Sequence, residues 1–256
     1  MKLLAGIFLP IGGLIMIIVS GFQWKQEGPV IHLIGDSTMA ERTEKVEVNP
    51  ERGWGQALQQ YFKKDLKICN HAVNGRSTRN FIAEGRWETV RDELKPGDFV
   101  LIQFGHNDQK IKDPKRYTNP STSYFHNLHR FVKETREKEA TPVLLTSIVR
   151  RKFNEHGTLV DTHGLYPLIV RQLSQAENVF FIDHLFKTEA LISQMGEEPS
   201  KELYVWVEPG QYVRFPEGKK DDTHLSKKGA DVFAKMVVDE LANFDTNLKK
   251  FILLDK

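Results

Sequence analysis

The chain has 256 residues, 40% of them hydrophobic, enough apolar material for one sizeable core and too little for two comfortable domains. Its 36 Lys and Arg nearly balance 34 Asp and Glu, and a formal net charge of +2 gives no global case for nucleic-acid binding. A single cysteine, Cys69, excludes an intramolecular disulfide framework.

Lys2 precedes an apolar run over residues 3–19, and Val19-Ser20-Gly21 offers small residues for cleavage. This pattern predicts a signal peptide or an uncleaved N-terminal anchor over 1–28, and hence a secreted or periplasmic protein. No cysteine follows the run to accept a lipid. Residues 29–244 carry no internal repeat, low-complexity tract or linker and read as one domain, with 245–256 as a C-terminal tail.

Val30, Ile31, Leu33 and Ile34 form a β-branched apolar run ending at Gly35, which suits a strand buried in a parallel sheet. Arg52-Gly53-Trp54-Gly55 opens a helix with apolar Ala57, Leu58, Tyr61 and Phe62. A second strand is predicted over 66–73, holding Cys69 as a small buried hydrophobe, and a helix over 86–94 that stops at Pro96-Gly97. Phe99, Val100, Leu101 and Ile102 make the third strand. Tyr124, Phe125, Leu128, Phe131 and Val132 recur at helical spacing and predict a long amphipathic helix over 122–139. A fourth strand over 142–148, a helix over 165–176 and a fifth strand over 179–182 follow. The closing helix starts at a Ser226 cap and carries Ala230, Phe233, Val237 and Leu241. Strands alternating with helices call for a parallel sheet covered on both faces, a three-layer α/β/α sandwich.

Chemistry-bearing residues gather in four stretches. Gly35-Asp36-Ser37-Thr38, Asn74-Gly75-Arg76-Ser77 and Gly105-His106-Asn107-Asp108 lie just past predicted strands, where α/β folds bind ligands. Asp221-Asp222-Thr223-His224 precedes the last helix. Serine is a poor nucleophile at neutral pH and needs an adjacent base, whose second ring nitrogen needs a carboxylate. Asp221 and His224 are three residues apart, close enough for one turn of chain to join them, although neighbouring Asp222 leaves the choice of carboxylate open. Acyl transfer also needs donors where the carbonyl oxygen becomes negative. The backbone N–H groups of Ser37 and Gly75 and the Asn107 amide suit that task. Gly-x-Ser-x-Gly is absent, which counts against the α/β-hydrolase fold.

Together GDST, NGRS, GHND and DDTH resemble the four blocks of the SGNH (GDSL-type) hydrolase superfamily. Within it, IHLIGDSTMA, RGWGQ, NHAVNGRSTRNF, FGHNDQK and DDTHLSKKGA are similar to the rhamnogalacturonan acetylesterase family. The similarity runs from about Val30 to Val238. It implies Ser37 as nucleophile, His224 as base, Asp221 as its orienter, and Ser37, Gly75 and Asn107 as the oxyanion hole. It also implies a flavodoxin-like five-stranded sheet in order 2-1-3-4-5 and no metal or organic cofactor.

The loops after strands two, three and four carry Arg76 and Arg79, then Lys110, Lys112, Lys115 and Arg116, then Arg150, Arg151 and Lys152. A cationic cleft of that kind would suit a polyuronate, while Asp108 and Asp113 among these charges fit an ordinary solvated surface. Trp54, Trp87, Tyr117 and Trp206 are candidates for a sugar-stacking platform or for core packing. The expectation is a monomeric serine esterase that removes O-acetyl groups from a pectic polysaccharide or oligosaccharide. Arg76, Arg79, Trp54, Lys112 and Arg116 are its substrate-binding candidates. Another esterase of the superfamily, or a silent glycan-binding protein on the same fold, is the alternative.

Overall fold

The computed structural model describes residues 28–253, so the signal or anchor expected N-terminal to them lies outside the described residues. In chain order the strands are β1 (Val30–Gly35), β2 (Glu51–Arg52), β3 (Lys67–Asn70), β4 (Phe99–Gln103), β5 (Thr141–Leu145), β6 (Phe180–Ile182), β7 (Tyr204–Val207) and β8 (Lys219–Ser226). The helices are α1 (Thr78–Ala83), α2 (Arg86–Glu93), α3 (Phe125–Glu137), α4 (Tyr166–Ala176), α5 (His184–Met195), α6 (Glu197–Ser200) and α7 (Lys227–Asn243). Among the described residues no helix is long and apolar enough to cross a membrane.

β3-β1-β4-β5-β6 form one five-stranded sheet, parallel throughout, in the expected order. Its central strands are apolar on both faces because both faces are covered. Ile31, Leu33, Leu101 and Val143 pack toward α5 and α7, whereas Ile34, Val100, Ile102 and Leu144 pack toward α2, α3 and α4. The chain leaves β1 for β3 on one side and then crosses to β4 on the other. That reversal opens a crevice at the C-terminal ends of the strands, where the Ser37, Gly75 and Asn107 loops emerge.

Several elements differ from the expectation. A 3₁₀ helix over Trp54–Tyr61 replaces the first α-helix, and β3 ends at Asn70, whose side-chain amide donates to the Met39 carbonyl at 2.9 Å, although the N–H groups of His71 and Val73 still donate to the Leu33 and Gly35 carbonyls. Cys69 is half-buried rather than part of the core. A π turn over Pro120–Tyr124 leads into α3. The sequence pattern predicts none of helices α1, α5 and α6. After Phe244 the chain packs back onto the domain through a 3₁₀ turn over Asn247–Phe251, with Leu248 fully buried and Ile252 bridging Phe62.

The largest difference is a second, antiparallel sheet, β2-β8-β7. Its long strand β8 reads KKDDTHLS, in which only Leu225 is buried, so hydrophobic alternation is silent there. Tyr204 pairs with Leu225 but Val205 pairs with Asp221, so Asp222, Thr223 and His224 bulge out of the ladder. A bulge re-aims side chains, and this one turns His224 toward the crevice, where its Nε2 reaches Ser37 Oγ.

Candidate active site

Ser37 follows β1 in a turn built by its own neighbours. Asp36, fully buried, accepts from the Thr38 N–H at 3.0 Å and the Thr38 hydroxyl at 2.9 Å, while its carbonyl accepts from the N–H of Met39 and Ala40. Gly35 is needed for the close approach beneath this turn, since a Cβ there would lie 2.8 Å from the Gln103 carbonyl oxygen. Burial alone would raise the Asp36 carboxyl, but His106 at 3.5 Å and the Thr38 hydrogen bonds hold it below its ordinary value. The turn presents the half-buried Ser37 side chain to β8.

Ser37 Oγ donates to His224 Nε2 at 2.9 Å, and His224 Nδ1–H donates to Asp221 Oδ2 at 2.8 Å. Asp221 Oδ1 accepts from the backbone N–H of Thr223 at 2.8 Å and of His224 at 2.9 Å, locking the bulge. Burial works against the Asp221 charge, yet these bonds to His224 and the ammonium of Lys219, 2.9 Å from Oδ2, hold the carboxyl well below the usual range. Asp222, the other candidate carboxylate, points elsewhere: it accepts from buried Arg151 at 2.5 Å and from Trp206 Nε1 at 2.8 Å. A serine, an imidazole and an ionised carboxylate joined in this chain of bonds can activate the serine hydroxyl as a nucleophile.

The other two loops are stitched to the first. Val73 N–H donates to the Gly35 carbonyl at 3.1 Å, and Gly75 adopts φ +76°, a conformation glycine takes without strain. Buried Asn107 donates through Nδ2 to the Arg76 carbonyl at 3.1 Å, leaving one amide hydrogen free. Asp108, expected as a surface charge, is instead fully buried. It accepts from the Thr78 N–H and hydroxyl and from the Thr118 hydroxyl, pinning the start of α1 to the loop after β4. Burial pushes its carboxyl up to about 7 against those hydrogen bonds.

Of the four aromatic candidates, two belong to the core. Trp54 is fully buried, its Nε1 donating to Gln103 at 3.1 Å between the close-packed Gly53 and Gly55, and so offers no face to a sugar. Trp87 is equally buried against Phe131. Trp206 is half-exposed, but the guanidinium of Arg151 and the ammonium groups of Lys201 and Lys220 surround its ring at 4.8, 4.4 and 5.7 Å. Tyr117 is half-buried.

The cations divide. Arg151 lies under Asp222 and is not part of a cleft, and Arg150 donates to the carbonyls of Thr162 and His106. Arg79, Lys110, Lys112, Lys115 and Lys152 are exposed. Arg76 pairs with Glu84 at 3.0 Å and Arg116 with Asp113 at 2.6 Å. Arg116 also places Nη1 3.4 Å from Asn107 Oδ1, beside Gly75.

Two residues not singled out in the sequence complete the surroundings. Lys219 sits on Asp221, and Arg42 donates through Nη2 to the Ser37 carbonyl at 3.0 Å while pairing with Glu51. Neither belongs to a motif with a mechanism, so only the fold reveals them. Both line a polar cleft of about 320 Å³ beside the site, together with Asn74, Glu41, Glu44 and Arg214.

Comparison with known proteins identifies the family. Residues 33–232 match the GDSL-like Lipase/Acylhydrolase family. The rhamnogalacturonan acetylesterase RhgT of Bacillus subtilis (strain 168) is 39% identical over 223 residues, covering 87% of this chain and 94% of that protein. The probable rhamnogalacturonan acetylesterase YesY of the same organism is 33% identical over 226 residues, 88% and 98% of the two chains. Among solved structures, B. subtilis YxiM superposes with a TM-score of 0.72 at 25% identity over 84% of this chain, which spans 56% of the YxiM chain. The chain belongs to the GDSL-like lipase/acylhydrolase family, and is a carboxylic ester hydrolase of the SGNH type.

Proposed function

We propose that the protein is a serine esterase that removes O-acetyl groups from rhamnogalacturonan, with Ser37, His224 and Asp221 as its catalytic residues. The observation that carries the mechanism is the unbroken chain from Ser37 Oγ through His224 to Asp221, at 2.9 and 2.8 Å. His224 Nε2 takes the Ser37 proton as Oγ attacks the acetyl carbonyl carbon. Asp221 holds the imidazole in the tautomer with Nε2 free and stabilises the imidazolium that forms. The N–H groups of Ser37 and Gly75 and the free amide hydrogen of Asn107 stabilise the tetrahedral oxyanion. The intermediate collapses as His224 returns the proton to the departing sugar hydroxyl. Water, deprotonated by the same imidazole, then releases acetate from the acetyl-Ser37 ester.

The substrate reading rests on the named activity of RhgT and on the charges at the rim. Arg116 is half-buried beside Asn107, and Arg79 and Lys112 are exposed on flanking loops. A uronate next to the acetylated sugar would meet these cations. The polar rim also disfavours a lipase, whose site would carry apolar lid residues. Acetate release from acetylated rhamnogalacturonan, acetylated xylan and acetylated homogalacturonan, compared at equal acetyl content, tests the proposal. The first polymer should be turned over with the highest kcat/KM. A preference for xylan would overturn the substrate, and no release from any of the three would overturn the activity.

A further inference from the structure

His32 interrupts the apolar run of β1 five residues before Ser37, and nothing in the ester chemistry uses it. It is 3% exposed and faces the α2 side of the sheet together with Ile34. The parallel register of β1 and β3 sets His32 directly beside Cys69, and His71 lies two residues farther along the same edge of the sheet. One donor atom from each of His32, Cys69 and His71 falls within a 4.8 Å span. Among these, His32 Nδ1 and His71 Nε2 are 3.0 Å apart.

Two carboxylates surround the three. Glu93, the last residue of α2, places Oε2 3.8 Å from His71 Nε2. Asp98 places Oδ2 3.6 Å from His32 Nε2, a buried ring nitrogen that has no hydrogen-bond partner. Two imidazoles alone would be satisfied by one shared N–H···N bond. That account leaves the convergence of a thiol and of Glu93 without a purpose.

We propose that His32, Cys69 and His71, with Glu93 as the fourth donor, form a zinc-binding site that ties the edge strand β3 to β1 and to the end of α2. Mixed nitrogen and sulfur donors in a four-membered set are the ligands of tetrahedral zinc. Zinc–nitrogen bonds of about 2.0–2.1 Å put tetrahedral neighbours about 3.3 Å apart, so the two rings need only a small adjustment. Asp98 stands where an outer carboxylate would receive His32 Nε2–H and fix the ring for ligation through Nδ1. A shallow groove of about 230 Å³, lined by Asn70, His71, Arg86 and Thr89, opens beside the cluster and gives an ion a path in. The metal would be structural and take no part in ester hydrolysis.

The test uses the full chain, reduced and stripped with a chelator, titrated with Zn²⁺ by calorimetry and with Co²⁺ by absorption spectroscopy. One ion should bind per chain, the Co²⁺ form should show a thiolate-to-metal charge-transfer band, and Zn²⁺ should raise the melting temperature. Cys69→Ser should abolish that band, and Cys69→Ser and His71→Gln should each weaken Zn²⁺ binding by about 100-fold or more. Both positions are half-exposed, so the variants should fold. The wild-type Co²⁺ spectrum decides the matter even where a variant does not. Turnover of p-nitrophenyl acetate should be the same with metal or chelator. Absence of stoichiometric binding, a Co²⁺ complex lacking the thiolate band, or binding unchanged in both variants would overturn the site and leave the esterase reading intact.

Discussion

Lys219 Nζ lies 2.9 Å from the same Asp221 oxygen that accepts the Nδ1–H of His224. The ammonium group is half-exposed, so its contribution is modest and screened by salt. Asp221 is ionised below the ordinary carboxylate range in the folded chain. Its stabilising effect is therefore present above about pH 4, the unfolded value, and is lost as pH falls toward the depressed folded one. Lys219→Met should cost about 0.5–1 kcal/mol of stability at pH 7. The difference from wild type in denaturant melts should shrink as pH falls below the carboxylate range; a constant difference would mean that Lys219 acts through packing.

Asp221 and Asp222 should separate cleanly. Asp221→Asn should lower kcat by about 10⁴, because the amide favours the wrong imidazole tautomer, with little change in melting temperature. Asp222→Ala should leave Arg151 buried without its carboxylate and cost about 3 kcal/mol in a denaturant melt, while kcat stays near wild type. The reverse pattern would exchange their roles.

Asn107→Ala should lower kcat by about 10²–10³, the loss associated with one oxyanion donor. Steady-state kinetics on p-nitrophenyl acetate separate this from substrate binding, which would appear as a change in KM alone.

Asp108 gives a pH signature of opposite sign to Asp221. Its folded value is raised to about 7 against an ordinary value near 3.8, so the folded chain holds a proton that the unfolded chain releases. Stability from this group is full below about pH 4 and declines as pH rises toward 7, with a slope of at most about 1.4 kcal/mol per pH unit. Asp108→Asn keeps an oxygen for the Thr78 and Thr118 hydroxyls and should remove that slope between pH 4 and 7. Denaturant melts at several pH values measure it directly.

Coulomb attraction between rim cations and uronates is screened over about 10 Å at 0.1 M salt. Raising ionic strength should therefore reduce kcat/KM on acetylated rhamnogalacturonan and leave p-nitrophenyl acetate almost unaffected. Single exposed contacts are worth about 0.2–1 kcal/mol, so an Arg79→Gln, Lys112→Gln double variant is the better probe and should flatten the dependence. Equal salt effects on both esters would exclude a cationic subsite.

The parallel sheet was readable because β1, β4 and β5 are apolar on both faces, and the Ser37, Gly75 and Asn107 loops follow from where those strands stop. The second sheet was not readable. β8 is a polar strand held by backbone pairing, and the bulge of residues 222–224 that aims His224 arises from the register of β8 against β7, which is distant in sequence. Composition also misplaced side chains whose environment is set by distant neighbours. Composition left Trp54 open between a sugar platform and the core, and Gly53 and Gly55 let it sink beside Gln103. Arg151 and Asp108 looked like surface charges, yet Asp222 and the Thr78 and Thr118 hydroxyls receive them in the interior. Short α1 was hidden because only Thr78 and Phe81 of its six residues are buried.

Acetate release from acetylated rhamnogalacturonan by Ser37→Ala, alongside wild type, tests the proposed chemistry most directly. Ser37 occupies a turn held by Asp36 and Thr38, so its side chain can be removed with little effect on folding. The variant should melt like wild type and lose about 10⁴–10⁶ in kcat. A folded Ser37→Ala protein that retains more than a few per cent of wild-type turnover would contradict the assignment of Ser37 as nucleophile.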